Sequence, residues 1–145
     1  MRSISRELLV EHLEIMIEKA QSVIDRNACI VTVHDFLISP ERMEKFDAAC
    51  MLIQVVGELA KRIDGWTSSN LFIHYPEVYW RGVFGCRNII SHDYGNVSPE
   101  QIFKIIKNHL PVLIECVHHI IDDLNQGFYP ELFVNEVSGG DEKGM

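Results

Sequence analysis

The stretch SPERMEKFDAACMLIQVVGELAKRIDG, residues 39–65, decides the fold. Ser39 followed by Pro40 is a helix start. A serine hydroxyl accepts from the first free amides, and proline's fixed φ suits the first turn, where no N–H is needed. From there Met43, Phe46, Ala49, Cys50, Ile53, Val56 and Ala60 recur at steps of three and four. That period lays one apolar stripe along a helix of about 3.6 residues per turn. The pattern predicts a long amphipathic helix ending near Asp64–Gly65, since glycine suits a left-handed cap.

The same period continues on both sides. Upstream, residues 4–25 place Ile4, Leu8, Leu9 or Val10, Leu13, Ile17, Ala20 and Ile24 on one face, with Glu7, Glu11, Glu14 and Glu18 on the wet side. Residues 28–38, ACIVTVHDFLI, are β-branched and read as a connector with a helical turn. Downstream, YPEVYW (75–80) predicts a third helix with Pro76 in its first turn and an end near Tyr94–Gly95. SPEQ (98–101) predicts a fourth, capped by Ser98 with Gln101 in the capping-box position. Its apolar positions run from Ile102 to Ile121, which carries it to about Asn125, and Pro111 inside it predicts a kink. No strand-like alternation and no repeat competes. The expectation is an all-α, antiparallel bundle of four to five helices over residues 1–127, with a partly flexible tail at 128–145. Surplus apolar surface on two of the helices predicts a homodimer. Trp66, Tyr75, Tyr79 and Trp80 read as core aromatics.

Composition excludes several classes. The 145 residues are 47% hydrophobic, enough for one domain with a real core. There is no apolar run of about 18 residues and no signal-peptide pattern at the N-terminus, so no membrane association is expected. Cys29, Cys50, Cys86 and Cys116 form no CxxC pair and sit in apolar surroundings, which predicts reduced core thiols in a cytoplasmic protein. The net charge is -8, of which residues 131–145 carry -3. Generic nucleic-acid binding needs cations to neutralise phosphates, so any such role requires a local basic site or a partner. His118 and His119 are adjacent and face different ways, and no metal-ligand spacing occurs, so no metal is expected. Phosphate-loop and serine-nucleophile motifs are missing as well.

One polar cluster stands out from this aliphatic background: CRNIISHDYGN, residues 86–96. Asn88 and His92 are four apart and share a helical face, so the amide could fix the imidazole's tautomer. Arg87 and Tyr94, seven apart, share another. Arg87 and His92 are five apart, roughly 140° around a continuous helix. They meet on one ligand only if the helix frays at Ser91–Tyr94 or a second subunit supplies part of the site. An arginine and a histidine together suit a phosphodiester, one holding the anion and the other moving a proton. The bland alternative is that Arg87 pairs with Asp93 or Glu58 and His92 merely caps the helix.

Arg87, four residues, His92, one residue, Tyr94 resembles the signature of HEPN-domain ribonuclease toxins of the HepT-like kind. QVVGELAKRI (54–63) is similar to their Gly-Glu helix, and YPEVYWRGVFGCRNIISHDYGNVSPEQIFKIIKNHLPVL (75–113) to their motif block and the helix after it. The resemblance runs from about Met43 to Val117. It implies an all-helical homodimer whose motifs face each other across a cleft, acting as a metal-independent RNA endonuclease. Arg87, His92 and Asn88 would be catalytic, with Asp93 and Glu58 in support. It also implies a toxin–antitoxin pair, in which a minimal nucleotidyltransferase silences the toxin by moving AMP from ATP onto Tyr94. No cofactor is implied for the toxin itself; the ATP belongs to the partner. A second reading is a non-catalytic helical module that binds nucleotide or presents itself to a nucleotidyltransferase. A third is a purely structural bundle.

Overall fold

The computed structural model describes residues 4–92 and 96–133, the side chains of 88–92 excepted. The expected all-α architecture is observed, and among the described residues there is no strand. Helix α1 spans Arg6–Arg26, α2 Pro40–Trp66, α3 Trp80–His92, α4 Pro99–Lys104 and α5 Leu110–Asn125. Short 3-10 turns lie at Val33–Leu37, Phe72–His74 and Pro130–Phe133. No helix among the described residues is long and apolar enough to cross a membrane.

Neighbouring rods run antiparallel, and specific contacts at their ends show it. His12 near the start of α1 meets Trp66 at the end of α2 edge to face, 4.7 Å between centroids. Lys45 at the start of α2 donates to the Arg26 carbonyl at 3.1 Å. Arg6 donates to the Leu124 carbonyl at 2.9 Å, closing α1 against the end of α5. The core is the sum of the periodic faces: Leu9, Leu13, Met16, Ala20 and Val23 of α1 meet Ala49, Cys50, Ile53, Val56, Ala60 and Ile63 of α2. Leu113, Val117, Ile120 and Leu124 of α5 close the far side. Such burial is the main favourable term holding the rods together.

The caps explain the boundaries. Ser39 Oγ accepts from the Arg42 amide at 3.1 Å, with Pro40 in the first turn, as the sequence predicts. Ser98 does the same for the Gln101 amide at 3.3 Å. Helix α2 runs on to Trp66, past the expected glycine stop. Thr67 Oγ1 donates to the Ile63 carbonyl at 2.9 Å, and the left-handed residues are Ser68 and Ser69, at φ 52° and 61°. Helix α3 begins four residues later than expected, at Trp80 rather than Pro76. The Tyr75 carbonyl is taken by the Trp80 indole N–H at 2.9 Å, so Tyr75–Tyr79 turns instead of coiling. The first helical bonds go to the Tyr79 carbonyl.

The fourth rod carries its proline as a wide turn. Pro111 offers no N–H, and its ring crowds the carbonyl four residues back. The chain responds with a π turn at Ile105–His109, where the Leu110 amide reaches the Ile105 carbonyl. Two further expectations fail. Cys29 lies on the turn after α1 and is exposed, unlike buried Cys50 and Cys116 and half-buried Cys86. Tyr79 is 73% exposed, whereas Tyr75 and Trp80 are core as expected.

The C-terminal segment is tied to the loop that launches α3. Tyr75 donates to Asp123 at 2.6 Å and accepts from Tyr129 at 2.8 Å, and His74 stacks on Tyr129 at 4.8 Å. Burial first, and then the Asp123 carboxylate, push the Tyr75 phenol far above its ordinary range, so it remains a donor. Tyr75→Phe leaves the buried side of Asp123 without its donor. A loss of about 1–3 kcal/mol is expected, read as a lower urea midpoint. An unchanged midpoint would mean that water replaces the phenol at no cost.

Candidate functional site

The site is built where α3 lies against the middle of α2. A Cβ placed on Gly57 would fall 3.0 Å from the Val83 carbonyl oxygen and 3.0 Å from Arg87 Cβ. One of those neighbours is backbone, which cannot yield as a flexible side chain does. The close approach therefore demands glycine, in a helix interior where glycine costs about 1 kcal/mol relative to alanine. Toward its start, α3 is held by aromatics. Phe72 stacks on Trp80 at 3.8 Å, and the Lys61 ammonium sits 5.0 Å from the centre of the Phe84 ring.

Arg87 is thus seated by its backbone and is half-buried. Among the described residues its guanidinium forms no ion pair. Glu58 is one residue from Gly57, yet its carboxylate accepts a long 3.5 Å bond from Gln54 and does not reach Arg87. The alternative in which Glu58 neutralises Arg87 is therefore not realised. The backbone of α3 stays helical through His92, and the rest of the Ser91–Tyr94 stretch expected to fray lies outside the described residues. Up to that point the backbone holds the two about 140° apart. The side chains of Asn88 and His92, and the whole of Asp93 and Tyr94, lie outside the described residues.

The face of α3 turned toward α5 borders two adjoining grooves. The larger, about 340 Å³, is floored by aliphatic side chains such as Ile53, Val56 and Leu113, with Tyr79 and His109 among its lining residues. The smaller, about 210 Å³, includes Lys104 and Gln101. Cys86, Ile105 and His109 line both, so the two meet beside Cys86, the residue preceding Arg87. Burial raises the Cys86 thiol above its ordinary range, which makes it an inert wall rather than a nucleophile.

Residues 13–120 match the family model described as Ribonuclease HepT-like. The chain belongs to the HepT-like ribonuclease family. That span takes in α2, the Gly57 approach, Arg87, His92 and the π turn. A protein of Methanocaldococcus jannaschii named "Putative RNase MJ0127" is 29% identical over 72 residues, 50% of this chain. The matched stretch is 56% of that protein, so the chain spans about half the length of this relative. No solved structure matches the chain.

Two features of this HepT-like chain escape a reading of its motif alone. Gly57 was visible only as part of a Gly-Glu pair. Its signal is physical: a glycine in the middle of a 27-residue helix needs a packing reason. The grooves depend on the π turn, for which Pro111 is the only local sign. Gly57→Ala must push α3 outward by a few tenths of an ångström. We expect about 1–3 kcal/mol of lost stability, seen as a lower denaturation midpoint. A midpoint equal to that of the unsubstituted protein would show that α2 and α3 part freely.

Proposed function

We propose that this protein is a metal-independent RNA endonuclease and the toxin of a toxin–antitoxin pair. The observation that carries the reading is Arg87. It stands in the Arg-x4-His-x-Tyr motif of a HepT-like ribonuclease family member, seated against Gly57, with no described carboxylate on its guanidinium. A half-buried cation with no carboxylate on it among the described residues is suited to a phosphodiester.

In the proposed reaction His92 takes the proton from a ribose 2′-hydroxyl. That oxygen attacks the adjacent phosphorus, the bond to the 5′-oxygen breaks, and the leaving oxygen receives a proton. The products are a 2′,3′-cyclic phosphate and a 5′-hydroxyl. Arg87 holds the phosphate and stabilises the charge that gathers on its oxygens. Asn88 orients His92 or the substrate. The angle of about 140° between Arg87 and His92 favours a two-fold dimer, in which Arg87 of one copy and His92 of the other flank one phosphate. Asp93 and Glu58 act in support. The partner is a minimal nucleotidyltransferase that moves AMP from ATP onto the Tyr94 phenol oxygen, with pyrophosphate leaving and the phenol proton released. The added negative charge and bulk stand where RNA phosphate must enter. No cofactor is proposed for the toxin.

Purified protein with total RNA and a chelator tests the nuclease half. Arg87→Ala and His92→Ala are expected to lose cleavage by at least about 100-fold, with far-UV circular dichroism and sedimentation unchanged. Full cleavage by either variant, or none by unmodified protein, would favour a non-catalytic nucleotide-binding module. For the regulatory half, intact mass after co-production with the nucleotidyltransferase should rise in whole AMP units. The rise should vanish in Tyr94→Phe; its persistence there would place the modification elsewhere.

A further inference from the structure

We propose that the paired grooves between α3 and α5 form a subsite for an unpaired nucleotide of the RNA, flanking the phosphate held by Arg87. The inference rests on the ribonuclease reading and adds to it a specificity-determining surface. The larger groove takes the base, and the smaller one, which carries Lys104, takes its phosphate.

Tyr79 is the first reason. It is 73% exposed, yet its ring is not loose. It lies over Gly82, where an added Cβ would fall 2.7 Å from the ring. The absence of a side chain at Gly82 lets the phenol rest on the first turn of α3 as one wall of the larger groove. An aromatic plate held against backbone, with one face open, is what base stacking uses, and stacking accepts any base. The groove floor is aliphatic, and at about 340 Å³ it has room for a nucleoside.

Charge is the second reason. The larger groove shares Cys86, Ile105 and His109 with the smaller one, which adjoins it. Lys104 lines that smaller groove. Neither Lys104 nor His109 forms an ion pair with any described residue. Lys107, one turn on, is by contrast committed to the Asn27 carbonyl at 3.3 Å. In a chain of net charge -8, Lys104 in the smaller groove complements a phosphate, while Glu77 among the lining residues of the larger groove disfavours one there.

Spacing is the third. Tyr79 and Arg87 are eight residues apart on one rod, or about 12 Å at 1.5 Å per residue. That is the reach of one or two nucleotides of an extended strand. The π turn sets the width, because it carries Ile105 and His109, which border both grooves.

The test uses the full-length protein and a short 2′-O-methyl RNA oligonucleotide, which binds but offers no nucleophilic hydroxyl. Its outcome is therefore independent of whether the chain cleaves RNA. Tyr79→Ala and Lys104→Ala are each expected to weaken binding by about tenfold, while Tyr79→Phe retains it. In cleavage of total RNA, Tyr79→Ala should raise KM and redistribute the cut positions with kcat nearly unchanged. Wild-type binding and an unchanged cut pattern in both alanine variants would overturn the proposal. So would a shift of Tyr79→Ala from dimer to monomer in sedimentation, since the groove would then be a contact between copies of this chain. Loss of cleavage in Arg87→Ala with oligonucleotide binding retained supports the separation of the two sites.

Discussion

The structure turns on the contact between Gly57 and the backbone of α3. Among the described residues the extended neighbour of helix α3 is α2, and its position is set where a missing Cβ lets two helical backbones meet. An alanine-sized separation would move Arg87 bodily, because its Cβ and amide are among the atoms that bear on Gly57. The aromatic stack of Phe72 and Trp80 then fixes the direction of the rod from its other end. Two anchors define a line, and the residues that carry the motif hang from it. Among the described residues Arg87 is held by helix packing, which is stiff because interiors are dense.

Much of this was legible from residue order. The periods of α1, α2 and the fourth rod, and the caps at Ser39 and Ser98, follow from local chemistry, and local chemistry is what a sequence states directly. Where expectation and structure part, a tertiary contact has won. Pro76 is a good first-turn residue, yet the Trp80 indole claims the Tyr75 carbonyl and the helix starts later. Gly65 is a good stop, yet Thr67 and two left-handed serines end the helix instead. Tyr79 reads as core from its aromatic neighbours, but only the fold shows which faces of α3 are covered. At the site, residue order supplies the motif and the angle between Arg87 and His92. It does not supply Gly57 as the seat of Arg87, since that pairing joins residues 30 positions apart.

The π turn illustrates how one residue shapes surface far from itself. Pro111 alone would bend the rod. Here the missing hydrogen bond is absorbed upstream, where the Leu110 amide skips to Ile105, and the helix widens under His109. A regular α turn would rotate everything after it by roughly one residue. The wide turn thereby decides which of the side chains from Lys104 to His109 border α3 and which face solvent.

The tie between Tyr75, Asp123 and Tyr129 has a consequence for the order of events during synthesis. The loop that launches α3 is fixed by residues 48 and 54 positions further along the chain. Arg6 likewise finds its carbonyl partners 118 and 122 positions away. Contacts of such long sequence separation form late, since loop closure precedes their reward. A chain emerging from the ribosome can coil α1 and α2 early and seat α3 on Gly57, but the Tyr75 tie ahead of α3 waits for Asp123 and Tyr129. The loop ahead of the Arg87 helix is therefore locked only once residue 129 has left the ribosome.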